Sequence, residues 1–287
     1  MRFWQPLVIL IGALSLTACS SIQFAYNNAP SLLQYQLDSY LDLDDDQEEI
    51  LSEELLAFQA WHRKEALPEY ASTLRLWAKK LDQPHTFTVP EILEKQRMFQ
   101  EDLLVIGQQS AFHLAPLVLT LTPEQRARLK ARFEESNEEY AEENLDDREQ
   151  RREQRRERFV EQYERWLGSL TPDQSQTLDR WLQQQPNTAT LWGRERMARQ
   201  EALLTILAQA QGSPSPEEAA VALHDYFQSL SRYRITELQN QREDRLEALA
   251  ELTVSLLNQM TDKQRLALQE QLRDYAEDFE ALAAKSS

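Results

Sequence analysis

A five-residue pattern recurs four times along this chain: Leu43-Asp44-Asp45-Asp46-Gln47, Leu121-Thr122-Pro123-Glu124-Gln125, Leu170-Thr171-Pro172-Asp173-Gln174 and Met260-Thr261-Asp262-Lys263-Gln264. Each copy runs from an apolar residue through Thr or Asp and two mostly polar or proline positions to glutamine. Thr or Asp at a helix N-cap accepts a hydrogen bond from an otherwise orphan backbone N–H, and Gln three residues on reaches back to the cap residue's own N–H. Asp44 with Gln47, Thr122 with Gln125, Thr171 with Gln174 and Thr261 with Gln264 are therefore expected to open four helices. Pro123 and Pro172 fall at the first helical position, where a missing N–H is harmless, and Glu124 and Asp173 sit where the helix dipole favours negative charge. Four residues after each glutamine stand Leu51, Leu129, Leu178 and Leu268, and eight after it Leu55, Phe133, Leu182 and Leu272. That spacing puts an apolar stripe on one face of each helix, which another helix must cover. The fourth helical positions are Glu48, Arg126, Ser175 and Arg265, so the leading Leu or Met finds no staple partner in its own helix and must dock elsewhere.

The rest of the chain supports an all-α fold. Five glycines and eleven prolines in 287 residues are too few for a turn-rich β architecture or a phosphate-cradling loop, while 41% hydrophobic residues suffice for a core. The 48 acids outnumber the 31 bases, and a net charge of −17 disfavours nucleic acid as a partner. One cysteine excludes a disulfide framework, and the four histidines, His62, His85, His113 and His224, have no partner at helical metal spacing, so no metal or other cofactor is expected. Asp42, Asp44, Asp46 and Glu53 fit four positions of a calcium-loop template, but the turn position is Gln47 rather than glycine. No nucleophile elbow or phosphate loop is present, no catalytic residue is assigned, and neither enzymatic activity nor a small-molecule substrate is expected.

The first eighteen residues read as a cleaved signal peptide: Arg2 precedes an apolar run from Phe3 to Leu16, too short to span a bilayer, followed by Thr17-Ala18-Cys19. That ending resembles the lipobox of bacterial lipoproteins, whose cysteine is acylated. The resemblance makes Cys19 the site of a palmitate-bearing anchor, and stable anchoring takes two or more such chains. By resemblance to enterobacterial lipoproteins, Ser20 and Ser21, with no aspartate after the cysteine, imply transfer to the outer membrane, the body facing the periplasm.

The Leu-Thr-x-x-Gln motif is similar to that of the Spy/CpxP family of periplasmic helical proteins, which implies an ATP-independent chaperone or an envelope-stress modulator. The chain as a whole resembles an uncharacterised group of proteobacterial lipoproteins that open with Cys19, Tyr26-Asn27-Asn28 and Tyr40-Leu41-Asp42-Leu43-Asp44.

Motif spacings of 78, 49 and 90 residues are too irregular for a solenoid. They predict a single domain from 19 to 287, an elongated array of about eight helices with antiparallel helical pairs and a sub-boundary near Pro186. A short first helix is expected at Ser31 to Leu41, and a helix from Gln47 to Leu81 kinked or divided by Pro68. The following apolar stripe is expected to end at His113, near Pro116. A breaker-free stretch from Thr122 to Gly168 permits a helix of about 70 Å, and a long helix is expected from Glu217 to Asn258. Within the breaker-free stretch, Glu134 to Asp147 holds eight acids, and Arg148 to Arg158 holds six arginines, Arg148, Arg151, Arg152, Arg155, Arg156 and Arg158, against three acids. A segment this polar either projects into solvent or meets a charged partner. The expected function is non-catalytic binding of envelope proteins, chaperone-like or stress-related, with those arginines as the partner-binding group. The alternative is a scaffold bridging the outer membrane to one specific envelope partner.

Overall fold

The computed structural model describes residues 18–145, 148–213 and 215–285; the side chains of 18–21, 143–145 and 148 lie outside that description. Among the described residues the chain is all-α, without a strand. In order, the helices are α1 (Ala18–Leu41), α2 (Asp45–Trp61), α3 (Leu67–Lys80), α4 (Val89–Thr120), α5 (Pro123–Leu145), α6 (Arg148–Leu167), α7 (Pro172–Gln184), α8 (Ala189–Gln211), α9 (Pro216–Ser229), α10 (Thr236–Asn240), α11 (Arg242–Asn258) and α12 (Asp262–Ala283).

Among the described residues these make eleven helical stretches, more than the eight or so the breakers suggest. The differences have local causes. Helix α1 begins well before Ser31 and carries Pro30 in its interior. A proline there cannot donate to the carbonyl four residues back, and the buried Gln59 supplies the missing donor: its Nε2 lies 2.6 Å from the Tyr26 oxygen. Pro68 does not break the chain either, because a π-helical turn, His62–Ala66, carries α2 into α3 without interruption. Likewise α4 continues past His113, whose Nδ1 lies 2.7 Å from Glu54 Oε2, and through Pro116 to Thr120. The long helix expected from Glu217 to Asn258 is broken. Ser229 ends α9, and the segment 230–235 is held open by Glu195 of α8, whose Oε2 accepts from the N–H groups of Arg234 at 2.8 Å and Ile235 at 2.9 Å. The breaker-free stretch is described as α5 and α6, residues 146–147 lying outside the description.

The four motif helices are α2, α5, α7 and α12, and each is preceded by a helix that delivers the chain to its cap. Their packing is reciprocal. In one unit α1 lies on α5 while α2 lies on α4, and in the other α6 lies on α12 while α7 lies on α11. Motif helices thus cover one another's lead-in helices, a pseudo-two-fold arrangement formed twice. Helix α3 joins the units by packing on α12, where Gln269 donates to the Ala78 carbonyl and Arg265 to that of Leu81 at the end of α3. Helix α4 runs between them. Its start, at Ile92, enters the core formed with α3, α11 and α12, and its last turns, with Ala111, Ala115 and Val118, enter the core formed with α8 and α9. Gly107 lets α4 and α9 approach: a Cβ there would lie 2.9 Å from that of Phe227.

Candidate functional site

Two arrangements bring the chemistry-bearing motifs of the sequence together, the paired helix openings and a cleft lined by arginine. At every opening both halves of the capping box are closed. The cap side chain accepts from the glutamine N–H at 2.9 Å in Asp44 and 3.2 Å in Thr122, Thr171 and Thr261, and the glutamine Oε1 accepts from the cap N–H at 2.9 to 3.2 Å.

Each glutamine then does a second job that no local pattern announces. Gln47 Nε2 donates to Gln125 Oε1 at 3.0 Å and to the Thr120 carbonyl at 3.0 Å. In return Gln125 Nε2 donates to Gln47 Oε1 at 2.5 Å and to the Asp42 carbonyl at 3.0 Å. Thr120 and Asp42 stand in equivalent places, one residue before the leading leucines. The two amides therefore fill all their donor and acceptor positions, which explains glutamine: a glutamate would supply no N–H, and asparagine is a methylene shorter. The second pair is a less regular copy. Gln264 Nε2 donates to Gln174 Oε1 at 2.8 Å and to the Ser169 carbonyl at 3.0 Å, but Gln174 Nε2 turns to the Leu256 carbonyl at 3.1 Å. Gln174 is fully buried and Gln47 and Gln264 nearly so. The apolar leads pack inward as well. Leu121 is buried, and Leu43, Leu170 and Met260 are half-buried against the cores. These openings line a core rather than a groove. They hold the two units closed.

The arginines are placed differently. On α6, Arg151, Arg152, Arg155, Arg156 and Arg158 line one side of a half-open cleft of about 1490 Å³. The other sides come from the end of α7 and the segment after it, from Trp192 of α8, from Tyr140 of α5 and from Arg245 of α11. Gly193 admits the Tyr140 ring, whose Cε1 would be 3.2 Å from a Cβ at that position. Arg156 is neutralised by Asp179, Nε to Oδ1 at 2.5 Å. Arg151, Arg152, Arg155, Arg158 and Arg245 form no ion pair among the described residues. Arg155 lies over the rings of Phe159 and Trp181, and Arg245 over Trp192 at 5.1 Å. One guanidinium nitrogen of Arg151 and one of Arg245 are shut off from solvent without a hydrogen-bond partner. Burial pushes the Arg155 guanidinium below its ordinary pKa, and the neighbouring positive charges of Arg245 and Arg158 push the same way. Among the described residues such a cluster carries an excess of positive charge, and an anion placed there is attracted to it.

Cys19 lies in α1 at a position whose side chain is outside the description, as is that of Arg148. Arg245 and Trp192 were not legible as cleft residues, since they reach α6 only through the packing of α8 and α11. The buried Glu195 was likewise missed. Its carboxylate, 1% exposed, accepts from Arg199 Nε at 2.5 Å as well as from the two backbone N–H groups. Burial drives its pKa up, but the hydrogen bonds from Arg199 and the two N–H groups, with the Arg199 charge, bring it below the usual carboxylate value. No cluster of three or more His, Cys, Asp or Glu side chains suited to a metal occurs among the described residues.

Residues 39–230 match DUF6279, a family of unknown function, and the chain belongs to that family. The matched segment contains the first three helix openings and the arginines of α6, and stops short of Arg245 and Thr261. No curated protein and no solved structure matches the chain.

Proposed function

We propose that this member of a family of unknown function is a lipid-anchored protein of the outer membrane, facing the periplasm, that binds envelope proteins and catalyses nothing. The signal-like segment 1–18 and the lipobox-like Cys19 support the address. The binding reading is carried by one observation: in a chain with a net charge of −17, five arginines that form no ion pair among the described residues gather around one cleft. With the motif leads packed against the cores, the cleft is the surface suited to gripping one specific partner, which favours a scaffold over a general chaperone. A photo-crosslinking residue at position 152, introduced in cells, tests this directly. One dominant envelope-protein product is expected, a smear of many products would favour a chaperone, and no product at all would remove the cleft from the account. Loss of palmitate labelling in Cys19→Ala tests the anchor.

A second reading, chaperone-like shielding of unfolded proteins in the manner of the Spy/CpxP family, is favoured by a different surface. Helix α4 leaves Met98, Phe99, Leu103, Val105 and Phe112 exposed, and large apolar side chains gathered on a surface mark interaction sites. It predicts slower aggregation of a denatured client at equimolar protein, and that slowing must be reduced by Phe99→Ser with Leu103→Ser.

A further inference from the structure

The charge, size and spacing of the arginine cleft specify more than an anionic partner. Its lining sets six arginines against Glu149, Glu153 and Asp179, an excess of about three positive charges among the described lining residues. Cation–π contacts hold Arg155 and Arg245 in place but satisfy none of their N–H groups. At about 1490 Å³ the cleft exceeds the roughly 300 to 1,000 Å³ usual for small-molecule sites. Along α6, Arg151 and Arg155 are four residues apart, about 6 Å of rise. An extended peptide advances about 6.6 Å in two residues and directs alternate side chains to the same face. Carboxylates at every second position of such a peptide therefore keep step with the arginine ladder. Across the cleft, Gln183, Gln185 and Asn187 offer amide groups suited to a peptide backbone.

We infer that the cleft takes an extended, carboxylate-rich segment of a partner protein, acids at alternate positions pairing with Arg151, Arg155 and their neighbours Arg152 and Arg245. This rests on the cleft being the gripping surface, as proposed above. The test is fluorescence anisotropy of the full chain in detergent with a labelled peptide of about ten residues alternating Glu and Ser, against its Gln-Ser counterpart, with inorganic pyrophosphate and anionic vesicles as separate arms. The Glu-Ser peptide binds, the Gln-Ser peptide does not, and affinity falls as salt rises. Arg152→Glu, at an exposed position where folding is not at stake, weakens binding at least tenfold, as does Arg155→Gln, while Arg75→Gln, outside the cleft, leaves it unchanged. Equal binding of the two peptides, or indifference to Arg152→Glu, overturns the inference. So does arginine-dependent binding of pyrophosphate or vesicles with none of the peptide. If the peptide fails while the crosslink at position 152 still yields one product, only the ligand class falls; if both fail, the cleft reading falls with it.

Discussion

Replacing Gln174 by leucine keeps roughly the bulk of the side chain and removes its amide from a fully buried position. Lost with it are acceptance from the Thr171 N–H at 2.9 Å and from Gln264 Nε2 at 2.8 Å, and donation to the Leu256 carbonyl at 3.1 Å. A net hydrogen bond is worth about 1 kcal/mol, and a buried partner left unsatisfied costs about 1 to 3 kcal/mol more, so the variant should lose about 3 to 5 kcal/mol. Gln264→Leu removes a similar set and shares one bond with it. The double variant should therefore lose about 1 to 2 kcal/mol less than the two singles added together, within the range found for residues in contact. Gln174→Leu combined with Gln47→Leu involves no shared partner and should be additive to within about 0.5 kcal/mol. Urea titrations of the three single and two double variants and their parent, run at 10 to 15 °C where stability is near its maximum, give both cycles. Additivity within the Gln174–Gln264 pair, or coupling as large between Gln174 and Gln47, would refute the assignment of the motifs to two separately locked units.

Three further outcomes follow from particular contacts. Glu195→Gln removes a buried negative charge that Arg199 and two backbone N–H groups share, and should cost about 3 kcal/mol and open the segment 230–235 to limited proteolysis; unchanged cleavage there would refute its role as the clamp. Gly107→Ala gains about 1 kcal/mol of helix propensity but presses a Cβ to within 2.9 Å of Phe227, an overpacking cost of about 1 to 3 kcal/mol; a lower urea midpoint is expected, and a higher one would mean that α4 and α9 separate easily. Burial holds His62 below its ordinary pKa of 6.5, while its Nδ1 lies 2.9 Å from the Tyr26 hydroxyl. The unfolded chain then takes up this proton before the folded one, so the stability from neutral His62 is present above about pH 6.5 and is lost as pH falls toward the folded value. Thermal midpoints at pH 7.5 and 5.5 should differ less in His62→Gln than in the parent, and an equal difference would exclude His62 as a source of acid sensitivity.

The two arrangements of interest depend on the sequence to different degrees. The capping bonds of Thr171 and Gln174 join atoms three residues apart, and the apolar positions at Leu178 and Leu182 follow from helical periodicity, so both are set by local chemistry. The all-α class follows in the same way from the scarcity of glycine and proline. The helix start expected at Ser31 missed the continuation through Pro30, because the donor that replaces the proline's comes from Gln59 and cannot be read from the local sequence.

What the sequence by itself determined is where helices open and which of their faces seek cover, because those are energies of neighbours along one chain. Only the tertiary structure decided that Gln47 meets Gln125 and Gln174 meets Gln264, that Glu195 stops a helix about 35 residues downstream, and that Arg245 and Trp192 complete the arginine cleft. Each of those contacts closes a loop of tens of residues, and its free energy depends on which apolar faces pair with which. Several stripes of similar width compete for that pairing, and the choice among them is made by the packing of the whole molecule.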